Sequence, residues 1–222
     1  KFFNISDWFE HKNPPDDVGL IRYWYEEEAT RMLETLYKEF QQSPTLRNNY
    51  PDWYSIREMM NAPSVNNLGG AEVTERDVHR NLSELSFGMS TCKFLMDNNV
   101  TGIKGISIWP PRTIKEHNGL LKLKTVGVDI TISAQDLVGL LDTSVRMADR
   151  YITVDAIRIQ YPYIAYEVEP QLQVQMLITQ ADIVAPKGGA PDAGPGAGTT
   201  ASVGFGGGDT SREAVLERFL SK

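Results

Sequence analysis

Three histidines, a single cysteine and a run of three glutamates are the residues of this chain whose types could hold a metal, activate a nucleophile or exchange a proton. His11, His79 and His117 share no HExxH or other ligand spacing, and each falls in a polar stretch, so the pattern points to no metal site. Cys92 sits on the apolar stripe of a predicted helix, where a thiol packs rather than attacks, and alone it closes no intramolecular disulfide. There is no G-x-S-x-G elbow to present a serine. Glu26, Glu27 and Glu28 are consecutive, and adjacent helical residues point in different directions, so the run reads as solvated face rather than as a carboxylate pair. The glycine-rich stretch from Gly204 to Gly208 has the look of a phosphate loop. It lacks the preceding strand and the Lys-Ser/Thr that such a loop needs. No catalytic, cofactor-binding or metal residue is therefore expected. What remains is aromatic: Trp8, Tyr23, Trp24, Tyr25, Tyr50, Trp53 and Tyr54 either pack the first helix onto the domain or form a partner surface.

The elements that must position these residues follow from periodicity. From Val18 to about Phe40, apolar positions recur at three- and four-residue steps, predicting a long amphipathic helix behind the Pro14-Pro15 break. Ser43-Pro44 ends it, and a short helix is expected around Tyr54 to Met60. Thr74 with Asp77 marks a cap, and Val78, Leu82, Leu85, Met89, Cys92 and Met96 then form a heptad-like seam that predicts a helix with one narrow buried face. Leu82, Leu85 and Met89 on that seam, with Trp24 and Tyr25, are the candidate interaction residues.

Strand signals come next. Gly102 to Trp109 alternates and is expected to stop at Pro110-Pro111. Leu121 to Ser133 changes phase, which predicts a bulge or bend near Thr125 to Gly127. Ser133 with Asp136 caps a helix carrying Leu137, Leu140 and Leu141 and ending near Asp149. Tyr151 to Gln160 slips phase in its middle, and Gln171 to Ile183 sets Leu172, Val174, Met176 and Ile178 against an alternating glutamine row, which predicts one buried and one wet face. The order helix, strand, strand, helix, strand, strand is a circular permutation of the ferredoxin-like arrangement, so the fold class is α+β with helices on one face of the sheet. Four regions result: an N-terminal helical region at 1–70, the αββαββ domain at 71–184, a Gly/Ala/Pro-rich linker at 185–210 and a short helix at 211–222.

Composition narrows the partners. Twenty-two basic against twenty-nine acidic residues give a net charge of −7, which disfavours nucleic acid. No apolar run reaches the roughly 18 residues that cross a bilayer. The chain begins at Lys1 rather than Met, as a fragment or a mature form lacking such a segment would.

The stretch ISAQDLVGLLDTSVRMADRYITVDAIRIQ, followed by QLQVQMLITQADI, resembles the periplasmic domains of PilO-like proteins of type IV pilus machines and GspM-like proteins of type II secretion. Leu137, Leu140 and Leu141 match the helix of that pattern, and Val154, Ile157 and Ile159 its strand. The resemblance covers about half of the chain. It implies a non-enzymatic protein anchored in the inner membrane, with a periplasmic domain that forms a homodimer and pairs with a PilN-like partner. The aromatic, proline-broken first seventy residues depart from the family pattern. The alternative left by the residues themselves is a small-ligand-binding domain, with its pocket between the sheet and the N-terminal helix.

Overall fold

The structure, a computed structural model, describes residues 18–46, 48–60, 75–114, 121–146, 152–161 and 171–183. Its elements are α1 (Val18–Gln42), α2 (Trp53–Met59), α3 (Glu75–Asp97), β1 (Gly102–Ile114), β2 (Leu121–Ser133), α4 (Ala134–Arg146), β3 (Ile152–Gln160) and β4 (Gln171–Ile183). The strands form one antiparallel sheet in the order β1-β2-β4-β3. Two hairpins thus meet through their long strands β2 and β4, and α4 carries the chain from β2 across β4 to β3. This is the expected α+β arrangement, with an N-terminal helix added.

Local chemistry accounts for the boundaries. Asp52 caps α2 by accepting from the backbone N–H groups of Tyr54 and Ser55 at 2.9 and 3.0 Å. Those bonds hold its carboxyl below the ordinary range. At the end of α3, Asn99 takes a left-handed conformation with φ 58°. Val100 N–H returns to the Leu95 carbonyl and Asn99 N–H to that of Met96. This Schellman turn buries Val100 and aims the chain directly into β1. Ser133 opens α4, its hydroxyl accepting from Asp136 N–H at 3.0 Å while donating to the Asp136 carboxylate at 2.6 Å.

One apolar core joins all eight elements. Val126, Val128, Ile130 and Ile132 of β2 lie beside Leu172, Val174, Met176 and Ile178 of β4, and α3 and α4 cover that face. On its far side α3 meets α1, which adds Ile21, Tyr25, Ala29, Met32, Leu33, Leu36 and Phe40. The first helix is therefore part of the same core as the sheet.

Several expectations change. Helix α3 does not bury one narrow seam: from Leu85 to Met96 every residue except Lys93 is buried, including Ser86, Gly88, Ser90 and Thr91. A helix layered between a sheet and another helix has two apolar contacts to make, and small side chains let both neighbours come close. At Gly88 an added Cβ would lie 2.9 Å from the Ile108 side chain. Strand β1 does not stop at Pro110-Pro111 but runs through them to Ile114, with register breaks at Ile103/Gly105 and Trp109/Arg112. Prolines are tolerated there because β1 is an edge strand. Strand β2, expected to bulge or bend near Thr125 to Gly127, pairs with β4 without interruption from Leu121↔Ile183 to Ser133↔Gln171, and the register shift opposite Leu123 and Thr125 lies in β1. The outer face of the sheet is not uniformly wet either: Leu177, Thr125 and Thr179 are buried there, the two threonine hydroxyls bonded at 3.0 Å. Of the glutamate run, Glu27 is exposed but Glu28 is buried, its carboxylate held by the Arg31 guanidinium at 2.5 and 2.8 Å.

Candidate functional site

The residues expected to meet a partner are placed inward. Leu82, Leu85 and Met89 are all buried in the core between α1, α3 and the sheet. Tyr25 is buried with them, and Trp24 is half-buried against the same core. The heptad-like step is equally compatible with lying across a sheet and with pairing with another helix, and in the fold the stripe is buried between α1 and the sheet. Most of the described aromatics follow: Tyr37, Tyr50 and Trp53 pack against the core, Tyr37 edge-on to both others at 6.0 and 5.8 Å, while Tyr23 and Tyr54 are exposed. Cys92 is fully buried, and loss of solvation pushes its thiol far above its ordinary range, which leaves an inert packing group. His11 and His117, and the side chain of His79, lie outside the described residues, as do the linker and the last helix. Among the described residues no group of three or more His, Cys, Asp or Glu is placed to hold a metal.

Two surface features remain. The first is the contrast between the sheet's edges. Strand β1 is closed to pairing in two places: Ile103 N–H donates to the Asn49 carbonyl at 2.9 Å, and Pro110 and Pro111 have no N–H to offer. Gly102 lets Asn49 come that close, because a Cβ there would fall 2.0 Å from the Asn49 amide nitrogen. Strand β3 has no such cover among the described residues, and it carries apolar side chains. Ile157 stands opposite Met176 and Ile159 opposite Val174, both of which are fully buried. Yet Ile157, Ile159 and the following Tyr161 are 39%, 51% and 64% exposed. The buried face of the sheet thus continues to the β3 edge and is left uncovered there. The bulge between Val154 and Ala156 makes this possible, since the extra residue returns Ile157 and Ile159 to the inner face.

The second feature is a half-open cavity of about 380 Å³ between α1, α3 and β1. Tyr25, Met60, Leu85, Ile108, Pro110 and Pro111 give it apolar walls, and Arg80, Asn81 and Glu84 bring polar groups from one side of α3. Burial pushes the Tyr25 phenol up to about 12, against the opposing pull of the Asn81 side chain. Burial likewise raises the Glu84 carboxyl above its ordinary range, against the opposing pull of Arg80 and Lys124. Glu84 Oε1 is buried and accepts no hydrogen bond; the nearest cation, Arg80 Nε, stands at 3.9 Å, beyond hydrogen-bonding distance.

An α+β domain with a helix-backed antiparallel sheet, one uncovered apolar edge and a lateral cavity is the class that fold and surface define. No family model matches the chain, and no curated protein does. Solved structures do. The core domain of a protein from Akkermansia muciniphila aligns at TM-score 0.55 and 12% identity, covering 75% of this chain and 90% of that one. A structure from the same organism, solved without its transmembrane region, aligns at TM-score 0.54 and 13% identity over 82% and 92%. At these identities the likeness is one of fold. The type 4 fimbrial biogenesis protein PilO from Pseudomonas aeruginosa aligns over 68% of this chain and 98% of its own, at 12% identity and a TM-score of 0.34. No helix among the described residues is long and apolar enough to cross a membrane.

Proposed function

We propose that this chain is a non-catalytic structural component of an inner-membrane assembly platform of the type IV pilus or type II secretion kind. Its domain lies on the periplasmic face, anchored by a segment outside this sequence, and works by pairing with a second copy and with a PilN-like partner. The hydrophobic pattern from Ile132 to Ile183 supports this reading. So does a fold shared with a protein that itself has a transmembrane region. The observation that carries it is the β3 edge, where Ile157 and Ile159 extend the core face into solvent on a strand that pairs with β4 alone among the described strands. Adding a strand there joins backbone ladders and covers both isoleucines at once.

Sedimentation equilibrium tests it. The wild-type chain is expected to dimerise reversibly, and Ile157→Lys with Ile159→Lys to weaken the dimer at least tenfold, about 1.4 kcal/mol or more, with an unchanged circular dichroism spectrum. A doubly substituted chain that dimerises as well as wild type would sink the assignment of the edge. The cavity beside Glu84 favours a second reading, a small-ligand-binding domain with its pocket between the sheet and the first helix.

A further inference from the structure

We propose that the cavity between α1, α3 and β1 takes a small neutral aromatic molecule bearing an N–H donor, with the Glu84 carboxylate as the acceptor. The inference rests on the ligand-binding reading and is independent of the assembly reading.

The walls set the first requirement. Tyr25, Leu85, Ile108, Pro110 and Pro111 present carbon on one side and Arg80, Asn81 and Glu84 present polar groups on the other, so the ligand needs an apolar face and a polar edge. At about 380 Å³ the space falls at the lower end of the range that small-molecule sites occupy, roughly 300–1,000 Å³. A compact ring system fits it. The second requirement comes from Glu84. Among the described residues its carboxylate makes no hydrogen bond, and Arg80 Nε at 3.9 Å is its one ionic neighbour there. The terminal torsion of a glutamate is broad and twofold, so the carboxylate can turn into the cavity without giving up a bond. What it lacks is a donor.

The third requirement is charge. Arg80 and Lys124 both act on Glu84 through space. Lys124 Nζ donates to Ser83 Oγ at 2.7 Å, which holds its ammonium beside the same turn of α3. A cationic ligand would bring a third positive charge against these two, whereas a neutral N–H meets the carboxylate without that repulsion. Indole has the required chemistry, and 1-methylindole differs from it by the donor alone.

The experiment titrates each compound into the full chain and follows the Asn81 side-chain amide and the Tyr25 ring by NMR. Indole is expected to saturate these signals, and 1-methylindole to bind at least tenfold more weakly. In Glu84→Ala that preference should vanish while ring-driven binding persists. Saturable but equal binding of the two compounds to the wild type would overturn the acceptor role of Glu84. Absence of saturable binding by either would overturn the ligand site itself. Neither result bears on dimerisation, which sedimentation reads separately.

Discussion

At Leu82, Leu85 and Met89 side chains that could have zipped two molecules together are fully occupied inside one. Each touches α1 or the sheet with no surface to spare. Truncating a leucine or methionine in such a place removes its transfer energy and leaves a cavity the neighbours only partly close. Leu82→Ala and Met89→Ala should each cost about 2–5 kcal/mol in urea unfolding, while the association constant of the folded fraction stays as it was. An association constant that fell with either substitution would return the seam to the interface. The residue types were legible here and their destination was not. A step of four, three, four marks a buried stripe equally well for an intramolecular and an intermolecular neighbour. Only the burial of Ser86, Ser90 and Thr91 on the other side of α3 reveals that the helix is enclosed by its own chain. Small polar residues give no periodic signal of that. The cavity was equally hidden: Glu84 reads as a surface glutamate of an amphipathic helix until α1 and β1 are placed beside it.

Among elements, the strands show how a phase change in sequence is and is not a bulge. The slip in the third strand is real, and Asp155 is the extra residue. The phase change in β2 is not: Leu121 and Leu123 simply face the outer side, while its partner β1 absorbs the mismatch around Pro110 and Pro111. A ladder irregularity belongs to a pair of strands, so one strand read alone can assign it to the wrong partner. The β1 edge also depends on a single missing side chain. Gly102→Ala would drive a methyl group into the Asn49 amide, 2.0 Å away by ideal geometry. The Asn49 side chain must then turn away and give up its bond to the Thr101 carbonyl, which loosens the segment that covers the Ile103 N–H. Amide exchange at Ile103 should quicken and stability fall by about 1 kcal/mol. Unchanged exchange at that amide would mean that Asn49 does not guard the edge.

For the molecule as a whole, the first helix is an integral layer. It covers the side of α3 that the sheet leaves open, and its buried set runs from Ile21 to Phe40. A chain lacking residues 1–50 should keep sheet signal in the far ultraviolet but lose near-ultraviolet ellipticity and bind a hydrophobic dye, the behaviour of a collapsed state without fixed packing. Cooperative melting of that truncated chain would show that the αββαββ unit is self-sufficient. The α+β class was legible from the order of periodicities. The attachment of the first helix was not, because an amphipathic stripe states that a face is buried without stating against what. The unequal edges of the sheet bear on geometry of growth. A sheet with two receptive sides can add copies without end, as fibres do. With the β1 side interrupted by Asn49 and a proline pair, a union of two copies through their β3 edges would use the more open of the two edges among the described residues. Such a union closes at two through that edge, so a larger structure containing this chain would be extended by other surfaces.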